Sequence, residues 1–251
     1  NRQNVCLTLS PFSATSADTN AAKPENDDDD DDDVKSQADH KLLIILVDGF
    51  RHDYVARDRA ALKGFPRLAK GGVFAKEVTP VHPADSYPNW YSILTGLYPE
   101  SHGFVANTRW DRATGQLFFG SPHPNASAAH WWTGAEPLWW TAERHRIKTA
   151  VYGWDGCQVR VEAEDDDDES NNDGHKRRKK RPPPLTRCEP YSGHPGVRRE
   201  QERFRGWLET ITEDFRQHRY RLALAYYENV DKAGRCSLGS IWVAASSVAV
   251  A

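Results

Sequence analysis

Leu42-Leu43-Ile44-Ile45-Leu46-Val47-Asp48-Gly49 is an unbroken apolar run of strand length that stops on a carboxylate and a glycine. Successive side chains of a strand point to opposite faces, so a run apolar at every position belongs inside a parallel sheet covered on both sides. Working outward, Lys148 to Tyr152 and Leu222 to Tyr227 read as further strands, and Val73 to Val78 alternates like another. Phe65 to Lys70, stopped by Gly71-Gly72, reads as a helix, as do Asn89 to Thr95, Pro137 to Arg146 and the amphipathic Val197 to His218. Strands alternating with helices predict an α/β fold, a mostly parallel sheet flanked by helices.

The charge pattern sets the boundaries. A formal net charge of -3 over 251 residues conceals strong segregation. Residues 1–40, with the acidic run Asp27 to Asp33, are expected to form a disordered leader, because they hold too little apolar surface to offset the entropy of ordering. Within it, Val5 to Phe12 and the small residues after it suit the tail of a secretory signal. Residues 162–184 carry an acidic run, Asp165 to Glu169, then a basic one, Lys176 to Arg181, and should loop out as a disordered insertion in a domain spanning 41–234. The neighbouring acidic run can pair with the basic one, so no nucleic-acid binding is expected. Residues 235–251 turn small and apolar and read as a tail foreign to the preceding fold. No segment holds the roughly 18 consecutive apolar residues of a spanning helix, so no membrane anchor is read within this chain.

Three residues fall in order at the polar ends of these elements: Asp48 after the first strand, Ser86 just ahead of Pro88 and a helix, and Asp231 after the last strand. In open α/β sheets ligands bind at the carboxyl ends of the strands, so residues distant in sequence converge there. Paired carboxylates suit a divalent cation, and a metal lowers the pKa of a hydroxyl enough to make it a nucleophile. A helix N-terminus adds its dipole and free N–H groups for an anion such as phosphate. Together these predict phosphoryl transfer. Singly each is weak, since Asp after a strand is most often a turn residue and Ser before a helix an N-cap.

The longer strings raise the case. Leu42 through Arg51, Ser86-Tyr87-Pro88-Asn89-Trp90-Tyr91 with Thr95-Gly96, His102-Gly103, and Glu136-Pro137-Leu138-Trp139 resemble the ectonucleotide pyrophosphatase/phosphodiesterase family of the alkaline phosphatase superfamily. Ser in place of the more usual Thr nucleophile, with Trp131-Trp132-Thr133-Gly134 and Trp154-Asp155-Gly156-Cys157, is similar to its choline-specific glycerophosphodiester phosphodiesterase branch. The resemblance implies an alkaline-phosphatase-like fold and a hydrolase of small, possibly choline-containing phosphodiesters. It makes Ser86 the nucleophile, with two Zn2+ ions, one on Asp48 and Ser86 and the other on Asp231. Asn107 would bind the substrate phosphate and Tyr226 would lie near choline, although strand aromatics are more often core. Cys157 and Cys188 would form a disulfide, which, with the acceptor triplet Asn125-Ala126-Ser127, suits an extracellular or cell-surface protein.

One departure limits these expectations. The family reads Asp-x-x-Gly-His, with the His on zinc, whereas Asp231-Lys232-Ala233-Gly234 is followed by Arg235. Guanidinium stays protonated and has no lone pair to give. Of the Asp and His ligands that the resemblance implies, the sequence holds Asp48 and Asp231, so zinc is expected to be weakly bound or absent. A truncated, catalytically inactive form is the alternative expectation.

Overall fold

A computed structural model describes residues 7–8, 40–160, 184–237 and 246–250. The leader apart from residues 7, 8 and 40, the charged insertion apart from Pro184, and residues 238–245 and 251 of the tail lie outside the described residues.

In chain order the elements are β1 (Leu7–Thr8), β2 (Leu42–Asp48), α1 (Tyr54–Arg57), α2 (Gly64–Gly71), β3 (Val73–Phe74), α3 (Ser86–Thr95), α4 (Pro99–His102), β4 (Thr108–Asp111) and β5 (Gln116–Phe119). They continue with α5 (Leu138–Arg144), β6 (Thr149–Tyr152), β7 (Arg187–Glu189), α6 (Val197–Arg216), β8 (Leu222–Tyr227), α7 (Asn229–Ser237) and β9 (Ser246–Val250). The seven-stranded sheet runs β3-β1-β9-β2-β8-β6-β7. Its central block β2, β8, β6 and β7 is parallel throughout, with Ile44 opposite Leu224 and Val151 opposite Leu224 on the other side. On its far side β2 pairs antiparallel with β9, Leu46 opposite Val248. That side of β2 is thus occupied by part of the small, apolar tail, whose valines suit a strand.

Residue alternation sorts the sheet's side chains into two cores. Ile44, Leu46, Val151, Leu222, Leu224 and Tyr226 face an aromatic layer built from Trp90, Tyr91, Phe104, Trp132, Trp139 and Trp154. Ala150, Tyr152, Ala223 and Ala225 face the other way, onto Trp207 and Ile211 of α6. Small residues on that second face let the long helix lie close, while the first face spends its space on indoles and phenols. Each fully buried large side chain contributes about 1.5–3 kcal/mol relative to exposure.

The helix and strand expectations hold at α2, α3, α5, α6, β2, β6 and β8 with shifts of a few residues. Val73 to Val78 does not: only Val73–Phe74 is a strand, and both residues are exposed. The hairpin of β4 and β5, turning at Gly115, and the short strand β7 had no pattern to announce them. Cys157 and Cys188 are joined by a disulfide that ties the loop after β6 to β7.

Candidate active site

β2 and β8 run side by side, and their carboxyl ends deliver Asp48 and, in the first turn of α7, Asp231. The approach is close because Gly49 permits it. Its φ is +71°, and a Cβ there would lie 2.4 Å from Asp231 Cα and 2.6 Å from Asp231 N. Only a residue without a side chain lets the two chain segments pass in this way.

Asp48, 3% exposed, is held from two sides. Ser86 Oγ donates to its Oδ2 at 3.0 Å and Tyr226 Oη to the same oxygen at 2.8 Å. Burial, and next the carboxylate of Asp231, push the Asp48 pKa up to about 6, against the pull of those two hydroxyls and the Gly49 N–H. Burial also drives the Tyr226 phenol well above its ordinary value, so it acts as a donor.

Ser86 is the first residue of α3, following Asp85 in extended backbone. Tyr87 locks that turn. Its hydroxyl donates to the buried Asp155 Oδ2 at 2.5 Å and accepts from Ser121 N–H at 2.9 Å. Asn107 braces it from outside: Oδ1 accepts from Tyr87 N–H at 2.9 Å, and its own N–H donates to Asp85 Oδ2 at 3.3 Å. That leaves the Asn107 amide NH2, beside the Ser86 N–H, with hydrogens to offer a ligand. The expectation of several free N–H groups needs correction. Tyr87 N–H is taken, Asn89 N–H bonds Asp85 O at 3.3 Å, and Pro88 has none.

Tyr226, expected near a choline group, is 4% exposed. Trp90 meets its ring at 4.5 Å between centroids and Tyr191 at 5.9 Å. It serves the site through its hydroxyl on Asp48, with its ring in the core.

Asp231, 6% exposed, has one oxygen in an ion pair: Arg235 Nε donates to Oδ2 at 2.6 Å. The bond to Asp231 raises the Arg235 pKa above its already high value. The other oxygen, Oδ1, is buried with no hydrogen-bond partner among the described residues. The sequence marks Arg235 as a lost ligand. In the structure α7 carries Arg235 back onto Asp231, and four-residue spacing on a helix is the signal for such a pair.

The donors gathered here are two carboxylates and a hydroxyl. Among the described residues no group of three or more His, Cys, Asp or Glu side chains is placed to hold a metal. Among the described residues no imidazole or thiolate joins the cluster, and one of the two carboxylates is paired with a guanidinium. This set does not fit the pair of zinc ions that the resemblance implies.

A mostly parallel sheet with a serine opening a helix and two carboxylates at its carboxyl edge is the frame of an alkaline-phosphatase-like enzyme. The family profile described as Type I phosphodiesterase / nucleotide pyrophosphatase matches residues 42–237, and the chain belongs to that family. An uncharacterized pyrophosphatase/phosphodiesterase of Schizosaccharomyces pombe is 33% identical over 193 residues, 77% of this chain and 35% of that protein. The bis(5'-adenosyl)-triphosphatase of Xenopus laevis is 38% identical over 121 residues, 48% of this chain and 25% of that protein. Among solved structures, an inactive form of murine ectonucleotide pyrophosphatase / phosphodiesterase 5 in complex with AMP superposes with a TM-score of 0.58 at 26% identity. The match covers 78% of this chain and 45% of that one. The chain therefore spans well under half the length of the relatives it matches.

Proposed function

We propose that this chain carries the nucleophile half of a hydrolase for small phosphodiesters or pyrophosphates, with Ser86 as the attacking group. The observation that carries the reading is the 3.0 Å hydrogen bond from Ser86 Oγ to a buried carboxylate at the start of α3, with Asn107 fixed against the same turn. In the reaction Ser86 Oγ forms a bond to phosphorus, its proton leaves along the existing hydrogen bond to Asp48, and the bond from phosphorus to the leaving oxygen breaks. Water then hydrolyses the phosphoserine. The α3 dipole and the Asn107 amide favour the charge gathering on the phosphoryl oxygens.

No step runs through zinc, because the residues present do not fit it. That misfit supports a second reading, a catalytically silent form whose nucleophile is in position without its activating metal. Substrate class rests on relatives: the AMP complex favours a nucleotide ester, and the Ser86 and Trp131-Trp132 strings favour a choline phosphodiester. An extracellular or cell-surface location is supported by the Cys157–Cys188 disulfide.

The test is hydrolysis of p-nitrophenyl phosphocholine and of a p-nitrophenyl nucleoside monophosphate by the purified chain, with and without added zinc, beside Ser86→Ala. Turnover of either ester, abolished by the substitution, supports the enzymatic reading and names the substrate class. No turnover, with the chain folded and zinc supplied, sinks it in favour of the silent form.

A further inference from the structure

Arg235 is more than a residue that fails to bind metal. Its guanidinium sits on Asp231 Oδ2 at 2.6 Å, held by the geometry of one helical turn, and the positive charge also lies close enough to Asp48 and Tyr226 to feel both. The ends of β2 and β8 bring the buried carboxylates of Asp48 and Asp231 into one space, with Gly49 passing directly against the Asp231 backbone. The chain supplies a cation of its own to that space. A divalent ion approaching Asp231 must displace a covalently tethered competitor whose effective concentration stays high at every zinc concentration. Meanwhile Asp231 Oδ1, buried and without a hydrogen-bond partner among the described residues, marks an acceptor that the guanidinium does not satisfy.

We infer that Arg235 is the resident cation of this site, occupying Asp231 in place of a metal ion and keeping zinc out, so that its removal raises the affinity of Asp231 for zinc. The inference takes from the functional reading only the location of the cluster. It requires no turnover and is read without substrate.

The experiment is equilibrium dialysis of the 251-residue chain against zinc, with protein-bound metal counted and a thermal melt recorded at each zinc concentration. Variants are Arg235→Ala, Arg235→Lys, Arg235→His, and Arg235→His combined with Asp231→Asn. A charge-assisted hydrogen bond lost by the competitor corresponds to a gain of between about tenfold and about a hundredfold in zinc affinity for Arg235→Ala. Arg235→Lys, which keeps the charge, stays within about threefold of the parent, because a tethered ammonium competes for the same oxygen. Arg235→His gains more than the alanine variant, since the imidazole lies one turn from Asp231 on the same helix face and adds a ligand. The gain disappears when Asp231 becomes Asn. If Arg235→Ala does not fold, Arg235→Gln keeps a hydrogen bond to Asp231 without the charge and is expected to show the same rise. Zinc affinity in the parent equal to that of the neutral variants overturns the inference, and so does a gain that survives Asp231→Asn. Either result leaves the Ser86 assay untouched, so failure here and failure of the functional reading are distinguishable.

Discussion

Gly49→Ala puts the close passage of β2 against α7 under direct load. Two costs add. With φ at +71°, an alanine there carries the left-handed penalty of about 1–2 kcal/mol. Its methyl would also lie 2.4 Å from Asp231 Cα, whereas ordinary contact begins near 3.4 Å, so α7 must retreat by about 1 Å. Overpacking against backbone, which cannot swing aside, costs about 1–3 kcal/mol. The sum is about 2–5 kcal/mol, and for a domain of this size each kcal/mol lowers Tm by about 2–4 °C, giving a fall of about 4–20 °C. The assay is a circular-dichroism melt beside Gly71→Ala, which sits at the end of α2 with nothing within 4 Å of its would-be Cβ. That control should hold or gain up to about 1 kcal/mol. A Gly49→Ala protein melting within 2 °C or so of the parent would refute the passage of β2 against α7 and, with it, the pairing of Asp48 and Asp231.

Tyr87→Phe removes the donor to Asp155 and the acceptor for Ser121 in one step, so it should lose about 2–3 kcal/mol by chemical denaturation. A loss under about 0.5 kcal/mol would mean that the turn carrying Ser86 is locked by something else. Cys157→Ser, or reduction of the parent, frees a loop with a sequence separation of 31 and should cost about 3–4 kcal/mol; an unchanged urea midpoint would count against the bridge. His102 predicts a pH response. Its Nδ1 accepts from Phe104 N–H at 3.1 Å, which leaves Nε2–H facing Ser92 Oγ at 2.9 Å, and burial lowers its pKa. Below its ordinary pKa near 6.5 the unfolded imidazole binds a proton that the folded one refuses, so stability is full above that pH and declines as pH falls toward the lowered folded value. The urea midpoint should drop between pH 7 and pH 5, about, and less so in His102→Gln; equal slopes would remove His102 as the cause.

The parallel core was legible because β2 and β8 are apolar at nearly every position, and a doubly covered strand has no other use for such a run. α6 was legible from its period. β7 was not, since Arg187-Cys188-Glu189 is a three-residue strand with no apolar pattern, held beside β6 by pairing and a disulfide. The hairpin of Trp110 and Phe118 mixes charges and aromatics in a way that reads as loop. At the site, positions were readable but partners were not. Asp48, Ser86 and Asp231 follow from the rule that strand ends converge, whereas the bond from Tyr226 to Asp48 depends on register between β2 and β8, which no local pattern encodes. Asn107 was read as a phosphate contact, and its carbonyl oxygen turns out to brace the helix that carries the serine. The Arg235 pair needed the start of α7 to be known before its spacing meant anything.

The Cys157–Cys188 bond also decides what a cut in the chain would leave behind. The Lys and Arg run at 176–181 lies between the two cysteines, so a trypsin-like protease acting there would sever the polypeptide without separating its parts. The piece bearing Asp48 and Ser86 and the piece bearing Asp231 and Arg235 would remain one covalent molecule, running as one band on a non-reducing gel and as two after reduction. A nicked population of this protein would therefore pass unseen through any purification that never breaks a disulfide.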